Sequence, residues 1–188
     1  MKGDGYSWEK RSWAYKAAFQ DASSYIRKHD FVHYLPVIVQ PTDLANESWA
    51  FIWAAIRYYD NLTDNEGLSY EEKEELHEKI WKVAHEIYNN SFDAERIDNR
   101  LIEWLYFYIK NDIEYEFNTY EYLVQLYKSN VEDHRRRGKI YSEKQLRELI
   151  YKKAACFFKV MYSLGFGLNE KLCEHIGRAL QIVDDVLD

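Results

Sequence analysis

The chain has 188 residues and a formal net charge of −7, enough length for one domain with a real hydrophobic core. Nearly half of it is apolar (47%) and 30% is charged, with only seven glycines and two prolines, which fits an all-helical protein with few tight turns. The acidic balance leaves no basic footprint for nucleic acid beyond Arg135-Arg136-Arg137. No apolar run approaches the roughly 20 residues of a membrane span, and the opening Met1-Lys2-Gly3-Asp4-Gly5 does not read as a signal peptide.

Residues 6–28 have helical spacing, with Trp8, Trp13, Tyr15, Ala18 and Phe19 recurring. A less regular stretch follows through Leu35-Pro36, and Pro41 with Asp43 forms a helix start. The next helix runs from about 43 to 64 and is ended by Gly67. Ser69-Tyr70-Glu71-Glu72 reads as a capping box for a helix over about 69–90. Leu101, Trp104, Leu105, Tyr108 and Ile109 lie at core spacing in a helix of about 93–111, and another covers 115–136. Ser142 with Gln145 caps a helix to about 164, closed by Gly165 and Gly167. Asn169 opens the last one. No strand-period segment or internal repeat competes, so the expectation is one antiparallel bundle of roughly seven helices over residues 1–188.

Asp188 falls in mid-helix with no glycine, cap or proline stop. The expectation is that further C-terminal helices complete the domain. Cys156 and Cys173 sit within helical patterns and read as free thiols of a reducing compartment, hence a cytoplasmic protein. The seventeen tyrosines and six tryptophans have two readings, half-exposed packing or an aromatic-lined cavity.

Two carboxylate clusters carry the chemistry. Asp60 and Asp64 are four apart at the end of Trp53-Ala54-Ala55-Ile56-Arg57-Tyr58-Tyr59-Asp60-Asn61-Leu62-Thr63-Asp64, and so share a helical face. Arg57, one turn before Asp60, is placed for an i, i+3 ion pair with it. Asp184, Asp185 and Asp188 end the otherwise apolar run Ala179-Leu180-Gln181-Ile182-Val183. Aspartate is a poor helix former and like charges at i, i+4 repel, a penalty that a cation would remove. Hard oxygen ligands of this kind suit Mg²⁺, with Mn²⁺ as the alternative, held between protein and a diphosphate. Each cluster also has a plainer reading as a solvated helix end. Glu74-x-x-His77 supplies one copy of a di-iron motif but no second, and His77 falls in the charged run Glu71–Lys79, read as a solvated face.

These residues resemble the squalene/phytoene synthase family of class I isoprenoid synthases. His29 through Leu35-Pro36 resembles its opening segment. Trp53 to Asp64 resembles its first aspartate motif, arginine included. Ser142–Leu146 and Tyr151–Ala155 follow its middle stretch, and Gly177-x-Ala179-Leu180-Gln181 with Asp184 and Asp188 follows its second motif. Asn61 stands where the family usually has a second aspartate, and Leu187 where it usually has an arginine. Gln181-x-x-Asp184-Asp185-x-x-Asp188 and Lys153-Ala154-Ala155 also resemble the chain-elongating trans-prenyl diphosphate synthases, whose arginine pair after the first motif is replaced by Asn65-Glu66-Gly67.

The resemblance implies an isoprenoid-synthase bundle around a central cavity, with a prenyl diphosphate as substrate. Asp60, Asp64, Asp184, Asp185 and Asp188 would bind Mg²⁺. Arg57, Arg137, Lys139, Lys153 and Gln181 would bind substrate, and Tyr58, Tyr59, Phe158 and Tyr162 would line the pocket around the allylic cation. Product apolarity implies a peripheral membrane association. The alternatives within the superfamily are a terpene cyclase or a chain-elongating enzyme; outside it, a non-catalytic helical interaction module.

Overall fold

The computed structural model describes residues 11–39, 43–64, 67–136, 142–150 and 156–164, together with Lys152, Lys171, His175 and Ala179. The structure is all-helical, and no strand occurs among these residues. The chain divides into two compact units, Met1–Phe117 and Asn118–Asp188.

The first unit contains α1 (Trp13–His29), α2 (Phe31–Val39), α3 (Asp43–Thr63), α4 (Tyr70–Tyr88), a 3-10 turn (Ala94–Arg96) and α5 (Arg100–Tyr115). Local chemistry sets most of the helix starts. Ser12 accepts a hydrogen bond from the Tyr15 N–H, and Asn99 accepts one from the Ile102 N–H. At Ser69 the expected capping box is complete: its hydroxyl accepts from the Glu72 N–H, and the Glu72 carboxylate accepts from the Ser69 N–H. The helix expected over 93–111 starts later, because Asn99 rather than an upstream residue caps it, and Asp93 caps only the 3-10 turn.

The irregular stretch expected around Leu35-Pro36 is instead α2. The Asp30 N–H still bonds to the Ile26 carbonyl at 2.7 Å, and its own carbonyl receives the Tyr34 N–H at 3.2 Å. One residue thus caps α1 and nucleates α2, and the helix runs three residues past Pro36. Proline's missing N–H and its clash with the preceding turn normally disfavour an interior position. Phe31, Leu35 and Ile38 of α2 are exposed, at helical spacing along one face.

α3 is the centre of this unit and packs against α1, α2 and α5, while α4 packs against α5. Trp49, Phe51, Ile52, Trp104 and Tyr108 are fully buried there, each contributing about 1.5–3 kcal/mol by removal of apolar surface from water. A polar seam crosses the core. The Tyr15 hydroxyl donates to the buried Glu47 carboxylate at 2.6 Å. The Asn111 amide donates to Tyr15 Oη at 2.8 Å and to Ser48 Oγ at 3.1 Å. Arg11 donates to the Tyr115 hydroxyl at 2.9 Å and lies over the Tyr15 ring.

The second unit contains α6 (Tyr120–Arg136), α7 (Glu143–Ile150) and α8 (Cys156–Ser163), with α6 packed against α7 and α8. The expected Ser142–Gln145 cap is present, with the Ser142 N–H donating to Gln145 Oε1 at 3.0 Å. Among the described residues no helix is long and apolar enough to cross a membrane.

Candidate functional site

The first carboxylate cluster lies at the C-terminal end of α3. Asp60 is in its last turn, and Asp64 follows Thr63 with its N–H bonded to the Asp60 carbonyl at 2.8 Å. The two side chains therefore leave the same helical face one turn apart. Asp64 is exposed and Asp60 partly so. The expected Arg57–Asp60 pair is formed, with Nη1 to Oδ2 at 3.1 Å. The other side of Arg57 meets Asp30, Nε to Oδ2 at 3.4 Å. Arg57 is thus shared by a carboxylate of its own helix and one from the junction of α1 and α2, a partner that sequence spacing could not show.

The electrostatics of this end are unusual. A helix C-terminus carries the negative end of the macrodipole and favours cations, so carboxylates there are unfavourable by about 0.3–1 kcal/mol each. The last turn of α3 holds no basic residue. Arg57 offsets the charge on Asp60 from one turn back.

Asn61 donates from Nδ2 to the Tyr25 hydroxyl at 2.8 Å. The Tyr25 ring stacks on His29, centroids 4.4 Å apart, so the first motif and the His29 segment meet through this tyrosine. Tyr58 packs edge-on to Tyr25 and Trp104. The Arg100 guanidinium lies 5.2–5.9 Å from the centroids of Tyr25, Tyr58 and Trp104, and pairs with Asp21 at 2.5 Å. The aromatic faces of this cluster are thus occupied by the protein's own guanidinium.

Tyr59 faces the other way. It is buried, and its hydroxyl is hydrogen-bonded to Nδ1 of His77 on α4. This corrects the solvated reading of His77, which is 2% exposed, and Lys73 of the same run is 7% exposed, while Glu71, Glu72, Glu75, Glu78 and Lys79 are exposed. Lys73, His77, Ile80, Ala84 and Ile87 form one buried face of α4. Their i, i+4, i+7 spacing was the available signal, hidden by the charged residues between them. Among the described residues no group of three His, Cys, Asp or Glu side chains is placed to hold a metal ion.

Gln181, Asp184, Asp185 and Asp188 lie outside the described residues, as do Arg137, Lys139 and Lys153. Phe158 and Tyr162 fall within α8. Arg135 is exposed near the end of α6. Lys152 pairs with Glu132 at 3.4 Å and lines a cavity of about 790 Å³ formed by α6, α7 and the α8 region, alongside Tyr122, Gln125, Arg147, Cys156 and Lys159. Burial pushes the Cys156 thiol up, partly offset by Lys159, so it is a poor nucleophile at neutral pH.

No protein-family model matches the chain, and comparison with curated proteins and with solved structures finds no significant match.

Proposed function

We propose that the chain is a Mg²⁺-dependent isoprenoid synthase of squalene/phytoene type, which ionises an allylic prenyl diphosphate and couples the resulting cation to a second isoprenoid or another acceptor. The observation that carries the reading is Asp60 and Asp64 on one face of the C-terminal end of α3, where the helix dipole penalises them and a cation would relieve the penalty. The order of motifs along the sequence supports it. The donor set fits the ion: two partly or fully exposed carboxylates one turn apart are hard oxygen ligands.

In this reading Asp60 and Asp64 would be the Mg²⁺ ligands of the first motif, and Asp184, Asp185 and Asp188 those of the second. Bound Mg²⁺ would supply Lewis-acid neutralisation of the leaving diphosphate. Arg57, Arg137, Lys139 and Lys153 would supply positive charge for the diphosphate, and Gln181 would also bind substrate. Tyr58, Phe158 and Tyr162 would supply aromatic rings to the allylic cation. Tyr59 acts from behind, holding α3 to α4 through His77. The exposed apolar stripe of α2 supports a peripheral contact with membrane, where apolar prenyl chains reside.

Incubation with C10, C15 and C20 prenyl diphosphates and Mg²⁺, with products identified by mass spectrometry, tests the proposal. Pyrophosphate release with a coupled hydrocarbon or prenylated acceptor is the expected result. A longer prenyl diphosphate would indicate the elongating reading, which the Gln181–Asp188 string favours. No metal-dependent turnover on any of the three would overturn the proposal.

A further inference from the structure

Asp30 lies outside both aspartate motifs, yet it is the second carboxylate on Arg57. Its backbone is fixed on both sides, the N–H capping α1 and the carbonyl starting α2. Its side chain is only 14% exposed, whereas those of Asp60 and Arg57 are about a third exposed. A shielded carboxylate therefore faces a guanidinium that is also bonded to a more accessible one. The two pairs are also unlike in geometry. Arg57 meets Asp60 in a hydrogen-bonded pair at 3.1 Å, but its Nε makes no well-aligned hydrogen bond to Asp30.

Resting on the metal-diphosphate reading of this site, we infer that Asp30 is a positioning residue that sets how the charge of Arg57 is divided between Asp60 and an incoming anion. A cation that takes the Asp60 carboxylate must displace Arg57, and Asp30 is the partner that keeps the displaced guanidinium neutralised. Without Asp30, Arg57 pairs more tightly with Asp60 and repels the cation more strongly. The same loss leaves the guanidinium with more unbalanced positive charge to offer an anion. Removing one negative charge thus has opposite consequences for the two ligands, and a residue that merely supported the fold would not produce that split.

The test uses the full chain, with isothermal titration of MgCl₂ alone and of sodium pyrophosphate alone. Asp30→Asn is expected to weaken Mg²⁺ binding by about fivefold and to tighten metal-free pyrophosphate binding by about threefold, from the loss of one unit charge at close range. Asp98→Asn, which removes an exposed acid paired with Lys79, controls for net charge and should move neither affinity appreciably. Arg57→Gln, measured in parallel, should tighten Mg²⁺ and weaken pyrophosphate, and adding Asp30→Asn to it should leave pyrophosphate binding unchanged. That pair of variants decides the question even if the single Asp30→Asn protein does not fold. Affinities that shift in the same direction in Asp30→Asn, or a further pyrophosphate change in the Arg57→Gln background, overturn the inference alone. A wild-type chain that binds neither probe overturns the functional reading with it.

Discussion

Tyr15→Phe isolates the polar seam of the first unit. The ring is retained, and with it the edge-on contacts to Phe51 at 5.2 Å and Phe107 at 5.0 Å. What is lost is one hydroxyl, which donates to Glu47 at 2.6 Å and accepts from Asn111 at 2.8 Å. A hydrogen bond to a charged group contributes about 1.5–3 kcal/mol. Glu47 is 2% exposed, so water cannot readily replace the donor. Asn111 keeps its bond to Ser48, so its share of the loss is small. The expected cost is about 2–3 kcal/mol, with the urea midpoint lowered and the slope unchanged. The six tryptophans stand at positions 8, 13, 49, 53, 81 and 104, all within the first unit. Their fluorescence therefore reports this unit separately from the second. In a double-mutant cycle with Glu47→Gln, a coupling of about 1 kcal/mol or more is expected, because Tyr15→Phe removes the donor of this bond and Glu47→Gln removes the charge of its acceptor. A Tyr15→Phe loss below about 0.5 kcal/mol, or strict additivity with Glu47→Gln, would refute the energetic role given to the seam.

Alkaline titration gives a second view of the seam. Burial, then the charge of Glu47, hold the Tyr15 hydroxyl far above its ordinary value, against smaller opposing effects of Asn111 and Arg11. Burial and the hydrogen bond with Glu114 push Tyr115 up to about 12. Folded Tyr15 keeps a proton that the unfolded chain loses above about pH 10, so its contribution is full below that pH and is lost as pH rises, at about 1.4 kcal/mol per unit. Tyr15→Phe should show a shallower alkaline decline than wild type, and equal declines would contradict the assignment. Tyr59→Phe should cost about 1–2 kcal/mol by leaving buried His77 without this partner, and unchanged thermal unfolding would remove that bond from the account. Asp60→Ala should abolish metal-dependent turnover with helicity retained by circular dichroism, since it removes an unfavourable charge from a helix end; near-normal turnover would take Asp60 out of the site. Asn61→Asp should lower the Mg²⁺ concentration for half-maximal activity, because the carboxylate can accept from the Tyr25 hydroxyl and still offer charge to the ion; a magnesium titration with an unmoved midpoint would show that position 61 does not reach the metal.

Features of the fold that arise within one or two helical turns were legible in the sequence. The boxes at Ser69 and Ser142 and the Arg57–Asp60 pair join residues three apart, so their geometry follows once the helix forms. The apolar spacing from Leu101 to Ile109 marked the buried face of α5, since period and burial are linked in an amphipathic helix. The all-helical class follows from the same periodicity and from the scarcity of glycine and proline.

Tertiary structure alone decided which polar residues lie inside. Glutamate is seldom buried, but Tyr15 and Asn111, 32 and 64 positions from Glu47, meet in the seam that buries it. His77 reads as solvated until Tyr59, 18 residues earlier, takes its ring nitrogen. α2 contradicts local propensity at Pro36, and Asp30 joins it to α1 by capping one helix and starting the next. Asp30 then reaches Arg57 from outside the first motif. Local propensity and periodicity are summed along the chain and can be read there. The desolvation of a charge depends on what packs over it, and that is set only when distant segments close around the same point.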